Sequence, residues 1–218
     1  MPTTTYSVSD TAGLNAALAA IAGGSDAYTI TITASFSLTA DPLPIGLASD
    51  GTLTVEGGGF TISGAGVHRG LFAFSGTTSV DDLTLASMLA HGGDGGPGGG
   101  FQPGGSTIPD LGATSGGGGA GLGAGLFVAG LNVVNGITIT TGATVVLSNT
   151  LIVSNYALGG SGAVFVTSTL DPREHGGGGG LGGFGGGGGD GFLYDSGGGG
   201  GIGLAATGGG LGSGVGFP

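Results

Sequence analysis

The 218-residue chain has no cysteine and only two permanent cations, Arg69 and Arg173. Without cysteine there are no disulfides and no thiolate metal sites. Thirteen acidic residues against two basic ones give a formal net charge of −11. Phosphate recognition needs clustered Lys and Arg, so the composition argues against nucleic acid and against an anionic membrane surface as partners. Charged residues make up 7% of the chain, against roughly 25% in an ordinary globular domain. Low charge can signal a membrane protein, yet no stretch approaches the roughly 18 consecutive apolar residues of a spanning helix. The longest helical apolar run, Ala16–Ala22, is short and made of small residues. No membrane insertion is expected. A secretory leader, with its basic and apolar regions, is not legible after Met1-Pro2-Thr3. The chain stops in glycine-rich sequence at Gly216-Phe217-Pro218, and the expectation is a fragment of something longer.

What is abundant is glycine, 60 residues in all. Residues 92–125 hold 17 Gly in 34, and residues 176–216 hold 25 in 41. The rest of the chain carries the other 18 and reads as short strands rich in Val, Ile, Leu and Thr. Tyr28–Thr33 alternates with strict period two, the mark of a half-buried strand. Further strands are expected at Phe36–Thr39, Thr52–Val55, Phe60–Ser63, Leu71–Phe74, Val80–Ala86 and Leu126–Ala129. The series continues at Ile137–Thr141, Thr144–Leu147, Leu151–Val153 and Ala163–Thr167. Short strands at this spacing, broken by Gly and Asn, read as all-β. One helix is expected over residues 11–22, capped by Asp10 or Thr11. Leu14, Leu18 and Ile21 form its apolar stripe, and Gly23-Gly24 ends it.

An internal repeat runs through the strands. Val80–Gly95 aligns without gaps on Leu147–Gly162, at an offset of 67, and Gly70-Leu71-Phe72 echoes Gly125-Leu126-Phe127. Three stretches carry a resemblance: Thr54–Gly64, Leu147-Ser148-Asn149-Thr150 with Ser154-Asn155-Tyr156-Ala157, and the Gly/Ala/Leu run at 116–128. The chain resembles the right-handed parallel β-helix of the pectin-lyase-like superfamily, most closely the passenger regions of bacterial autotransporters and surface adhesins. That resemblance implies a single β-solenoid domain over 1–218 whose core is built of Val, Leu and Ile ladders. Residues 11–22 would be its capping helix and 92–125 and 176–216 its glycine-rich insertions. Val145, Leu147, Ile152 and Phe165 should be buried in the ladders. The membrane barrel that such proteins carry at the C-terminus is not in this sequence.

Ordering the 75 tract residues would cost on the order of 100 kcal/mol at about 1–2 kcal/mol per residue. One reading of the tracts is flexible loops. The preferred one is closely packed, polyproline-II-like glycine strands that pair their backbones. Pro97, Pro103 and Pro109 favour it in the first tract, and Leu181, Phe184, Phe192, Leu193, Ile202 and Leu204 would anchor the second.

No constellation carries chemistry. Gly185–Leu193 fits one calcium nonapeptide, but residues 176–184 place Leu181 where Asp is required, and the motif works in successive copies. No Lys-Ser/Thr follows a glycine tract to make a phosphate loop. Asp81-Asp82 with His68-Arg69 mimics the carboxylate and Arg of a polysaccharide lyase, but neighbouring strand residues face opposite ways. Ordinary turn polars are the better reading. Arg173-Glu174-His175 reads as a solvated turn, and Ser161 and Ser213 sit in plain glycine sequence without a triad. The Thr residues of Thr29–Thr33 and Ile137–Thr141 can form ladders like those of ice-binding solenoids, though solvent-facing Thr on ordinary strands is the default. No catalytic, cofactor-binding or metal-binding residue is therefore assigned, and no cofactor is expected. The expectation is a non-enzymatic structural or adhesive module, extracellular or at the cell surface, in a fibre, matrix or biofilm setting. Its partner would be itself or downstream repeats of the same chain. A carbohydrate-active β-helix enzyme, or an ice- or glycan-binding solenoid, is the alternative.

Overall fold

The computed structural model describes residues 3–94, 119–129, 132–134, 137–139 and 142–161. The expected strand at Ala163–Thr167 with Phe165, the tract 176–216 with its apolar anchors, and Pro97, Pro103 and Pro109 lie outside these residues. The chain divides into two compact units, Met1–Ala90 with Gly123–Tyr156, and His91–Leu122 with Ala157–Pro218.

The first unit begins with β1 (Thr3–Val8), α1 (Thr11–Ile21), β2 (Ala27–Ile32), β3 (Phe36–Ser37) and β4 (Ile45–Gly46). It continues with β5 (Thr52–Glu56), β6 (Thr61–Ser63), β7 (Leu71–Asp81) and β8 (Thr84–Ala86). After β9 (Leu89–His91) and the first glycine tract come β10 (Leu126–Val128), β11 (Asn132–Val134) and β12 (Ile137–Ile139). The last described strands are β13 (Ala143–Ser148), β14 (Leu151–Val153) and β15 (Tyr156–Leu158). The protein is β-rich and its larger sheets are parallel. Strands β11 and β12 are an antiparallel pair, and β9 pairs with β15.

Register gives these sheets their regularity. Thr3 pairs with Ala27, Ala27 with Thr52, and Thr52 with Thr77, so the step from strand to strand is nearly constant. The next partner jumps the glycine tract: Thr77 pairs with Thr144 and Val80 with Leu147, which is the offset of the sequence repeat. The same offset joins Leu85 to Ile152 on a second sheet, which runs β3, β6, β8, β14. The sequence repeat is therefore a pairing register. The shorter echo is one as well, since Leu126 pairs with Leu71 and Phe127 with Phe72 on a third group of strands.

Alternation then sorts the side chains. Ile30, Val55 and Val80 share one inward row and are all buried; Ile62 and Leu85 do the same on the second sheet. Helix α1 adds Leu14, Leu18 and Ile21 to the same core, against Val8 of β1. Asp10 is its N-cap, with Oδ1 accepting from the Gly13 N–H at 2.7 Å, and Gly23 follows it with φ 72°. The helix expected at 11–22 is thus present, and it covers the β1 side of the core.

Corners between strands repeat as the strands do. Asp82 and Asn149, and likewise Ser87 and Ser154, are equivalent positions of the repeat, and all four take left-handed φ between 47° and 52°. This corrects the single strand expected over Val80–Ala86. The left-handed residue Asp82 turns the chain onto another sheet and divides that segment into the end of β7 and all of β8. Side chains of the later segment satisfy the backbone of the earlier one. Asn155 accepts from Met88 N at 2.7 Å and donates to Leu85 O at 3.0 Å, and Thr150 Oγ1 donates to Val80 O at 2.8 Å. Gly70 and Gly125 open the shorter echo because the backbones meet there: a Cβ at Gly70 would collide with the Gly125 carbonyl.

The second unit, as described, is a contact of glycine backbones. Gly119 N donates to Gly93 O at 2.7 Å and Gly160 N to Gly119 O at 2.8 Å. A Cβ on Gly92 would overlap Gly119. Gly93 and Gly119 belong to the first tract; its residues 95–118 and the whole of 176–216 lie outside the described residues.

The expected burial of Val145, Leu147 and Ile152 is not what the structure has. Val145 is half-buried, and Leu147 and Ile152 are exposed at 44% and 42%. Leu147 and Ile152 occupy the same inward rows as Val80 and Leu85, both 0% exposed. The reason is position. Among the described residues β13 and β14 each have one neighbour, so their inward side chains meet no further strand.

Two residues in one row should accordingly differ in cost. Leu85→Ala should destabilise by about 2–5 kcal/mol through lost burial and a cavity. Ile152→Ala, at its register partner, should cost under about 1.5 kcal/mol because nearly half the side chain is already in water. Urea denaturation of the two variants checks this. Equal losses would show that Ile152 is covered in solution.

Candidate functional site

The sequence sets Asp81 and Asp82 beside His68 and Arg69 as the one grouping that mimics catalytic machinery. The structure gives the two pairs different partners. Asp81 ends β7, and Asp82 stands in its corner, where Oδ1 accepts from Asn149 Nδ2 at 2.7 Å. Asp82 thus serves the corner, while Asp81 is the last residue of β7, in register with Glu56 and Ser148.

His68 and Arg69 instead converge on Asp41. His68 Nδ1 lies 3.0 Å from Asp41 Oδ1, and the Arg69 backbone N–H donates to the same oxygen at 3.3 Å. Arg69 Nε stands 3.8 Å from Asp41 Oδ2. The backbone around Asp41 is held from its other side by α1. Asn15 Nδ2 donates to Asp41 O at 3.2 Å, and Asn15 Oδ1 accepts from Leu43 N at 2.8 Å. Thr11 Oγ1 accepts from Thr39 N at 3.0 Å. Two polar residues of the helix and one carboxylate thus fasten the segment between β3 and β4.

The Arg69 guanidinium lies over the Phe72 ring, 5.3 Å from its centroid, within cation–π range. Phe72 meets Phe127 at 5.1 Å and the edge of Phe74 at 6.3 Å. Phe72 and Phe127 are register partners on β7 and β10. Burial lowers the Arg69 pKa from its ordinary value, and the Asp41 carboxylate opposes that shift. Nε and Nη2 of Arg69 are buried without a hydrogen-bond partner among the described residues, so Asp41 is the charge that compensates them.

Chemically the cluster offers one carboxylate, one imidazole and one guanidinium, packed on an aromatic ring. General acid–base chemistry at a glycosidic bond takes two carboxylates across the scissile bond, and Asp41 contributes one. Its arrangement suits a latch. Among the described residues no three His, Asp or Glu side chains gather to hold a metal ion. The calcium-like nonapeptide Gly185–Leu193, Arg173-Glu174-His175 and Ser213 lie outside the described residues. Ser161, in the second unit, donates its backbone N–H to Asp94 Oδ1 at 2.7 Å, again across the offset of the repeat.

The feature with no internal explanation is the far edge of the first unit. Val146, Leu147, Leu151 and Ile152 are all exposed on β13 and β14. Of these, Leu147 and Ile152 are expected in the core from the sequence, whereas Val146 and Leu151 are outward positions. That the first two stand uncovered follows from their strands having no further neighbour among the described residues, which no local pattern encodes. The Asp41 cluster is also invisible in the sequence. Its members are separated by a whole step of the strand repeat, and only the length of that step could have paired them.

No family model, no curated protein and no solved structure matches the chain.

The latch makes a definite prediction. Asp41→Asn should destabilise by about 1 kcal/mol, the carboxylate being a third exposed and its charge screened accordingly. In an Arg69→Met background, which keeps the stem over Phe72 and removes the buried charge, the same substitution should cost less. A double-mutant cycle in urea measures the difference, and identical costs in both backgrounds would break the assigned coupling.

Proposed function

We propose that the chain is a right-handed parallel β-helix acting as a non-enzymatic structural or adhesive module, outside the cell or at its surface. The observation that carries this reading is the in-register pairing of Thr3, Ala27, Thr52, Thr77 and Thr144 on successive parallel strands. Each coil contributes to more than one sheet through fixed corners, which is how a solenoid grows. Helix α1 covers one end of the apolar rows, and the other end leaves Leu147 and Ile152 in water.

An uncovered strand with open backbone groups is a template for another strand. Neither Val146, Leu147, Leu151 nor Ile152 carries charge, so little at that edge opposes pairing. The partner is a second copy of the chain or a further repeat of the same protein. Pairing there extends the rows; the chemistry required is burial alone.

Static light scattering and negative-stain microscopy across micromolar concentrations test the reading. The expected outcome is concentration-dependent oligomers or filaments, reverted to monomer by Ile152→Lys and unchanged by Val67→Lys, an exposed turn residue elsewhere. A strictly monomeric wild-type particle contradicts self-association.

A further inference from the structure

The outward face of the largest sheet has a composition its fold does not require. On β1, β2, β5, β7 and β13 the inward rows are mostly apolar, Thr4 and the buried Thr78 being the polar members, and the positions between them face out. Read strand by strand, two outward positions give Thr3-x-Thr5, Ala27-x-Thr29, Thr52-x-Thr54, Thr77-x-Ser79 and Thr144-x-Val146. Eight of these ten side chains are Thr or Ser, and none is charged. All ten are exposed or half-buried. The next outward row, which includes Glu56 and Asp81, brings the charges: Thr31 Oγ1 there donates to Glu56 Oε2 at 3.0 Å.

Register turns these residues into an array. Parallel strands stand about 4.8 Å apart, and alternate residues along a strand about 6.6 Å apart. Each stiff β-branched Thr presents one hydroxyl and one methyl in a restricted set of rotamers. The face therefore carries hydroxyls and methyls on a two-dimensional repeat. A protein surface facing liquid water gains nothing from such a repeat, and a solvated sheet ordinarily mixes charges among its outward residues. A partner that is itself a lattice of hydrogen-bonding oxygens does gain from it, because many weak contacts are met at once. Ice repeats along one axis at a spacing close to that between strands. It is also uncharged, as the ten positions are, whereas a single glycan or peptide chain in solution offers no two-dimensional lattice.

We propose that the outward Thr-x-Thr array of β1, β2, β5, β7 and β13 binds the surface of ice crystals. This rests on the stacked strands of the proposed solenoid and names a surface to which an adhesive module of this kind would hold. The array lies on the flank of the strands and the self-association edge at the end of their rows, so the two can be tested apart.

The experiment is thermal hysteresis and ice-crystal morphology on the purified chain, with far-UV circular dichroism on the same sample. Wild type should shape ice crystals and depress their growth temperature. Thr54→Tyr, at the middle of the array, should lose both effects, and Val67→Tyr, on a distant turn, should keep them. Thr52→Lys, at a more exposed position of the same array, carries the test if Thr54→Tyr loses its sheet signal. Folded wild type that leaves ice unshaped overturns the proposal and leaves the structural reading standing. Shaping retained by both array variants, or lost in Val67→Tyr, overturns it as well. Wild type without a sheet signal overturns both readings.

Discussion

In-register parallel stacking is the constraint on which the rest of the first unit depends. Most of its strands are short, and a short strand buries little by itself. Laid beside the strand one step further along the chain, its inward Val, Leu or Ile lands on another, and the row becomes a core. The corners must then bring the chain back into register at each step of the strand repeat. Left-handed Asp82 and Asn149, and Ser87 and Ser154, do so at equivalent points. Side chains such as Asn155 satisfy the backbone groups that a corner leaves open in the earlier copy of the repeat. Non-glycine residues in this conformation cost free energy, and they recur at the offset of the repeat, where two of the four are Asp and Asn, residues that enter the left-handed region more readily than most.

Much of this was legible in the residues. The period-two pattern of Tyr28–Thr33, the capped helix after Asp10 and the offset between the two copies of the repeat each state something local or repetitive, and each has its counterpart in the structure. What was not legible depends on how segments distant in sequence pair. Asp82 reads as a strand residue because its neighbours are strand-formers; its left-handed φ comes from the change of sheet. His68 and Arg69 read as turn polars near Asp81, whereas the length of the strand step sets them on Asp41. Leu147 and Ile152 read as core, which their inward rows support. Whether an inward residue is covered depends on the strand above it, and no property of the residue itself reports that.

Glycine enters as a spacing device. At Gly70 against Gly125, at Gly92 against Gly119 and at Gly160 against Gly93, backbone meets backbone with no room for a Cβ on the first residue of each pair. The chain's 60 glycines leave few side chains for chemistry, and the polar ones that do cluster act on the backbone or on each other: Asn15 and Thr11 on the segment beyond β3, Asp41 on Arg69. Among the described residues, two surfaces follow from geometry: the edge where Leu147 and Ile152 are exposed and the uncharged outward positions of Thr and Ser. Both are products of the same register, and both would vanish if successive strands slipped by one residue, since a slip exchanges inward and outward side chains.

Register is therefore the quantity to measure. The chain has no native cysteine, so paired cysteines report it without background. Ser79→Cys with Val146→Cys places two outward thiols on register partners of β7 and β13, within the Cα separation a disulfide accepts. Ser79→Cys with Ser148→Cys moves the second thiol to the next outward position along β13 and takes it beyond that reach. Mild oxidation followed by non-reducing electrophoresis and peptide mapping should find the first pair closed within one chain and the second open. Failure of the first pair to close, or equal closure of both, would contradict the stacked register and the account built on it.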